Sequence, residues 1–188
     1  MFMLSGLVKE TADAVTAAIK GADDILTAVR TTVKNQITGA LQDTGDVSAA
    51  GMTAVSDIVS GALRSTGDIG ASLTDVTGST VRGVITGVSE IGGDVLTATR
   101  KAVREAISTT GEVGGDIGNV AVTAVTAAID AAGTVGESSS DAVQAAVVGA
   151  VNAADEIGSE AGTAVRDALL SSAALPRDLV EKAIKGSN

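Results

Sequence analysis

Large apolar residues recur along this chain at intervals of 22 residues. The first such column consists of Val15, Ile37, Val59, Val81, Val103, Val125 and Val147. The second column consists of Ile25, Val47, Ile69, Ile91, Val113, Val135 and Ile157. Within one unit the apolar positions lie three or four residues apart, which is the spacing of a helix face. Because a fixed period of this length is typical of repeat architectures, we expect an all-α chain.

The period also predicts how the helices are used. Twenty-two residues make two 11-residue units, or six turns of about 3.67 residues, so the apolar stripe returns to the same angle in each unit. We expect tandem amphipathic repeats whose long or kinked helices pack side by side in a homo-oligomer, with the two columns as the self-assembly face. The predicted organisation is an apolar-ended cap over 1–22, seven tandem repeats over 23–176 and a half-repeat or tail over 177–188.

Glycine and proline mark the places where the helices are expected to break. The predicted junction residues are Gly45, Gly67, Gly111, Gly133 and Pro176. Glycine costs roughly 1 kcal/mol relative to alanine inside a helix, and proline is tolerated only in the first turn. Thr109 to Glu112 also fits the capping-box pattern that begins a helix. One essentially continuous helix stays open as the alternative.

The composition removes most catalytic chemistry. The chain has no Trp, Tyr, His or Cys, and a single Phe. It therefore lacks an imidazole base, a thiolate nucleophile and the usual zinc ligands, and it has no aromatic residues on which bases could stack in series. The net charge of -10 repels phosphate backbones. We predict no enzyme activity, cofactor, metal, small-molecule substrate or nucleic-acid partner.

Two motifs could suggest ligand sites, but both are incomplete. The glycine-rich run from Gly111 to Gly118 lacks the Lys-Ser/Thr ending of a phosphate-binding loop. The acidic residues that recur every 22 positions do not converge within one loop as calcium ligands must. Both motifs fit repeated helix ends or solvated charges better than binding sites.

The chain shows no clear membrane or export segment. Its longest uncharged stretches, Ile117 to Ile129 and Ala142 to Ala154, have 13 residues each and are too short to span a bilayer. The apolar N-terminal residues lack a basic leader and a typical cleavage site. Without a predicted signal peptide or transmembrane helix, the expected location is the cytoplasm, or the cell surface after leaderless export.

The function that this pattern favours is structural. Faces built from Val, Ile, Ala and Gly are shallow and pack well only against similar helices. Repeat arrays normally carry polar caps, whereas this chain starts with Met1 to Leu4 and has Leu175, Leu179 and Val180 near its end. We therefore predict a non-enzymatic protein that assembles with its own copies into a filament, tube or layer.

Two alternatives come from resemblance in period and amphipathicity. The 22-residue helical units are similar to those of exchangeable apolipoproteins, and their general style resembles phasins, which implies a coat on a lipid or polymer surface. The negative charge, the lack of Trp and Tyr and the absence of a Lys/Arg-rich face disfavour that alternative. The 11-residue period also resembles late-embryogenesis-abundant proteins, which implies disorder until drying or binding, but the apolar content is too high for disorder.

Overall fold

The computed structural model describes residues 2–19, 24–44, 53–66 and 71–187, and all the regular structure in these ranges is helical. The helices are α1 Phe2–Ile19, α2 Ile25–Thr44, α3 Thr53–Arg64, α4 Leu73–Glu90, α5 Val95–Val113, α6 Ile117–Thr134, α7 Ser139–Ile157, α8 Ser159–Ser171 and α9 Arg177–Gly186. The all-α prediction is confirmed for this part of the chain, and the helices pack side by side.

The helices form two layers. Odd-numbered helices pack on one another in chain order, even-numbered helices do the same, and consecutive helices join the two layers. Helices two apart run parallel, since Gly83 and Gly87 of α4 lie against Val33 and Ile37 of α2 respectively. Consecutive helices run antiparallel, since Gly115 after α5 lies against Leu73 at the start of α4. The chain therefore reverses direction at its described junctions and does not continue as one long helix.

The first apolar column lies inside this array. The side chains of Val15, Ile37, Val59, Val81, Val103, Val125 and Val147 are all fully buried within one chain. They belong to a continuous core that extends from α1 to α9. The structure thus places this column against neighbouring helices of its own chain and not on a surface that a second copy could reach.

The turns after α4, α5 and α6 each contain a left-handed glycine near the end of one helix and a polar side chain that caps the next. After α5, Gly114 adopts a left-handed conformation with φ of 76°, which a side chain would strain. The N–H of Gly115 then donates to the carbonyl oxygen of Thr110 at 2.9 Å. Asp116 accepts a hydrogen bond from the N–H of Asn119 and so caps α6.

Two of the predicted junction glycines lie close to these turns but not in them. Gly111 and Gly133 lie in the last turns of α5 and α6, and the left-handed glycines are Gly114 and Gly136. Thr109 to Glu112 also lies within α5, so it does not form the predicted capping box. Pro176 is the residue before α9. Gly45 and Gly67 lie outside the described residues, as do Val47 and Ile69 of the second column.

Four consecutive helices begin at a constant interval. Helices α4, α5, α6 and α7 start at Leu73, Val95, Ile117 and Ser139, each 22 residues after the one before. In this stretch α4, α5 and α6, each with the turn that follows it, occupy 22 residues.

Ion pairs connect four helices, α2 to α5, each to the helix two further along. The pairs are Lys34–Glu90 at 3.1 Å, Arg64–Glu112, Arg82–Asp130 at 3.2 Å and Arg104–Glu156 at 2.5 Å. Glu90, Glu112 and Glu156 occupy the last turns of their helices, where the helix dipole disfavours a negative charge. A cation from the parallel neighbour offsets that effect. Exposed ion pairs contribute at most about 1 kcal/mol each to the free energy of folding. Their main effect is therefore to fix the register between parallel helices.

The C-terminal end of the array is covered by a polar helix. Helix α9 packs on α7 and α8 and buries Val180 and Ala183. Leu175 is buried and Leu179 is half-buried. The apolar residues near this end are therefore largely covered by the chain itself, contrary to the expectation of an apolar end, and the side chains of Lys182 and Lys185 face solvent.

Candidate functional site

Among the side chains whose burial the structure describes, the exposed large apolar ones lie at one edge of the array. They are Leu26 with 37% of its surface exposed, Val113 with 48% and Ile157 with 43%. Because consecutive helices are antiparallel, the start of α2 and the ends of α5 and α7 lie on the same side. We call Leu26, Val113 and Ile157 the apolar edge. Two of its members, Val113 and Ile157, come from the second predicted column.

The opposite edge of the array is better covered. Ile91 and Val135 follow α4 and α6 there and belong to the same column, but both are half-buried. Ile25, which precedes Leu26, is also half-buried. Residues at one repeat position therefore have different exposures, and among the side chains whose burial the structure describes only those of the apolar edge are large, apolar and exposed.

Part of the apolar edge forms a groove between the α5–α6 and α7–α8 turns. The groove is lined by apolar side chains of Ile117, Ile157 and Ala161 and by the carboxylates of Asp116 and Glu160. Glycines at 115, 118 and 158 also line it and contribute no side chain. The groove can thus accept an apolar side chain beside a positively charged group.

Local packing fixes Ile157 in the groove. Its side chain lies against Gly111 in the parallel helix α5, so a β-carbon built on Gly111 would be 2.8 Å from Ile157 Cδ1. Asp116 is fixed as the cap of α6, because its Oδ1 accepts from the backbone N–H of Asn119 at 3.1 Å and its Oδ2 from Asn119 Nδ2 at 2.8 Å. Apolar and acidic groups are therefore held at defined positions.

The carboxylates near the groove are only partly neutralised. Glu112 and Glu156 pair with Arg64 and Arg104 respectively. Asp155 receives two hydrogen bonds of 2.7 Å from Arg166, and these lower the pKa of the Asp155 carboxyl.

The two groove-lining carboxylates, Asp116 and Glu160, form no ion pair within the described ranges. The six ion pairs found in that part of the chain involve other residues. The groove is therefore acidic.

A second cluster of acidic side chains lies between α3 and α5. Burial raises the pKa of Asp57, whose Oδ2 is buried without a hydrogen-bond partner. Burial also raises the pKa of Glu105; the nearby Glu112 and Asp57 raise it further, and a hydrogen bond from Thr109 partly opposes these effects. This pair can hold a proton, but no base or nucleophile of another type accompanies it, and the described residues contain no metal-binding group of His, Cys, Asp or Glu.

One described helix, α6, has the length and apolar composition that a membrane-crossing helix needs, with a mean hydropathy of 1.2. It packs against α4, α5, α7 and α8 in the middle of the array. Such packing also accounts for an apolar helix in the core of a folded protein.

Comparisons with known proteins do not assign the chain to a family. No protein-family profile matches the sequence, and no curated protein matches it significantly. The apolar edge and its groove therefore carry the functional argument.

Sequence reasoning missed two features of this site. The apolar edge follows from chain reversal at the described turns, which the sequence left open. Leu26 stands at a repeat position that later units fill with glycine, at 70, 92, 114, 136 and 158, so the apolar columns did not mark it. The second feature is the acidic pair that contains Glu105, and here the sequence does carry a signal. At intervals of 22 residues the other helices have Gly39, Gly61, Gly83, Ala127 and Gly149, so a carboxylate stands where they have glycine or alanine.

Proposed function

We propose that this chain is a non-enzymatic structural protein of tandem 22-residue helical repeats that self-assembles into a filament, tube or layer. The contact between copies would involve the apolar edge. The single observation that carries this proposal is that Leu26, Val113 and Ile157, the exposed large apolar side chains among those whose burial the structure describes, share one edge. Val113 and Ile157 belong to the neighbouring helices α5 and α7, while Leu26 belongs to α2, further along the array. Exposed apolar side chains gathered on one side of a protein favour contact with another surface.

The small exposed area of these three side chains favours weak contacts that are repeated many times. Each of the three side chains is roughly half covered already, so burying the remainder contributes about 1 kcal/mol per residue. One such contact cannot hold two copies together in dilute solution, because association itself costs several kcal/mol. Several contacts per copy in a polymer supply more, since each later contact forms between molecules that are already held together.

The open architecture also favours assembly. Helices connect to neighbours one and two positions away, and α1 and α2 make no substantial contact with α8 and α9. The array therefore does not close into a ring, and its described edges and ends stay accessible to other copies.

Sedimentation velocity over a concentration series tests the proposal. We expect the average mass of the wild-type protein to rise with concentration, and the variant Leu26→Ser/Val113→Ser/Ile157→Ser to stay monomeric. The control Ile91→Ser/Val135→Ser changes half-buried residues at the opposite edge and should still associate. A wild-type protein that is monomeric at every concentration, or a triple variant that associates as the wild type does, would refute the proposal.

A second candidate function uses the same edge to coat a lipid or polymer surface. The exposed apolar side chains support it, but the acidic groups Asp116 and Glu160 beside them would repel anionic lipids. Flotation with zwitterionic phosphatidylcholine vesicles distinguishes the two candidates. Cofloating wild-type protein that remains monomeric without vesicles supports the coat, whereas concentration-dependent mass without vesicles supports self-assembly.

A further inference from the structure

We infer that the groove of the apolar edge binds helix α9 of a second copy. This inference rests on the proposed self-assembly and names the surface that would occupy the groove. It follows from the chemistry of two described surfaces of the same chain, one acidic and one basic.

Helix α9 presents two free cations on one face. Lys182 and Lys185 are exposed, lie three residues apart and take part in no ion pair of the described structure. On the same short helix Leu179 is half-buried beside these lysines, and the exposed Asp178 lies one turn before Lys182. The outer face of α9 thus carries two lysines and one aspartate, a net positive charge, next to the apolar side chain of Leu179.

The groove has the complementary chemistry. Ile117 and Ile157 supply apolar surface, and Asp116 and Glu160 supply negative charge without a cation of their own chain. In a chain with a net charge of -10, two copies of this acidic edge would repel each other. The lysines of α9 remove that repulsion, and opposite charges of this kind favour the correct partner and speed its association.

The two surfaces are different parts of the molecule. A copy that places its α9 in a neighbour's groove still has its own groove available for the next copy. Such a heterologous contact forms an open polymer when its rotation does not close a ring. The inference therefore explains how a single pair of surfaces could produce a filament.

Charge reversal in the full chain tests the inference. One variant carries Asp116→Asn and Glu160→Lys, where asparagine keeps the helix cap. The other carries Lys182→Glu and Lys185→Glu. We expect the association of each variant alone to be weaker than that of the wild type by about tenfold or more. An equimolar mixture should recover association, because the reversed groove of one variant then meets the reversed α9 of the other.

The controls separate this inference from the function on which it rests. Circular dichroism of each variant establishes that it is folded, and wild-type association should weaken as sodium chloride is raised. If folded reversal variants associate as strongly as the wild type, or if their mixture stays monomeric while the wild type associates, α9 is not the occupant and self-assembly uses another contact. If the wild type never associates, the proposed function itself fails.

Discussion

Gly149 of α7 lies directly against the backbone carbonyl of Arg100 in the parallel helix α5. A β-carbon built on Gly149 would be 2.5 Å from the Arg100 oxygen. Gly83 of α4 has the same relationship to Arg30 of α2, at 2.7 Å. Glycine thus permits close approach within each layer, which offsets its poor helix propensity.

This relationship predicts opposite effects for the same substitution at two sites. Gly149→Ala should destabilise the protein by more than about 1 kcal/mol, because a backbone oxygen cannot move aside without separating two helices. Gly39→Ala should stabilise it by about 0.5–1 kcal/mol, since nothing lies within 4 Å of the new methyl group and alanine favours the helix. Urea unfolding measures both values, and equal effects at the two sites would contradict the proposed packing.

The half-buried acidic pair Asp57 and Glu105 predicts a pH dependence. The folded-state pKa values of Asp57 and Glu105 are raised, so the folded chain holds these protons more tightly than the unfolded chain. Their contribution to stability is complete below the unfolded pKa values of about 4 and is lost as pH rises through the folded values. The variant Asp57→Asn/Glu105→Gln should therefore gain stability relative to the wild type as pH rises from 4 to 7.

The measurement is the difference in free energy of unfolding between wild type and this variant at each pH. Other carboxylates, such as Asp24 and Asp155, have lowered pKa values and change the stability with pH in the opposite sense. Their contributions are the same in both proteins and cancel in the difference. A difference that does not change with pH would show that the pair titrates alike in both states.

The cap of α5 gives a third prediction. Asp94 accepts a hydrogen bond from the backbone N–H of Thr97, and this lowers the pKa of the Asp94 carboxyl. Asp94→Ala should cost about 0.5–2 kcal/mol, whereas Asp94→Asn keeps a capping oxygen and should cost less. The part of this stability due to the charge is present above the unfolded pKa and is lost as pH falls through the folded pKa. Thermal unfolding of both variants measures the effect, which is absent if α5 begins elsewhere.

Core and edge isoleucines should differ in what they contribute to the fold. Ile107 is fully buried and Ile157 is 43% exposed. Ile107→Ala should destabilise the monomer by about 2–5 kcal/mol, and Ile157→Ala by much less. Chemical denaturation at a concentration where the wild type is monomeric measures the difference. Similar losses at both sites would mean that Ile157 serves mainly to hold the chain together.

The sequence predicts the helical class well, because the apolar spacing of three and four residues leaves little alternative. It cannot predict what covers the apolar face. Val103 and Val125 would show the same periodicity whether they packed against their own chain or against another copy. Only the reversal of the chain at each turn brings these residues into one core, and that reversal depends on turn geometry more than on periodicity.

The turns themselves show why helix boundaries were harder to predict. Gly111 and Gly114 are the same residue type only three positions apart, yet one lies in a helix and the other ends it. Gly111 is required by the side chain of Ile157 from another helix, a contact that the sequence does not reveal. The local capping pattern at Thr109 therefore indicated a boundary that long-range packing overrides.

Hydrogen–deuterium exchange at low and high protein concentration tests the central claim most directly. The account predicts that protection rises with concentration at the helix ends that carry Leu26, Val113 and Ile157, while the helix ends at Ile91 and Val135 change little. The helix interiors around Val103 and Val125 should be protected already at low concentration. Unchanged protection along the apolar edge, or core helices that become protected only at high concentration, would contradict the account.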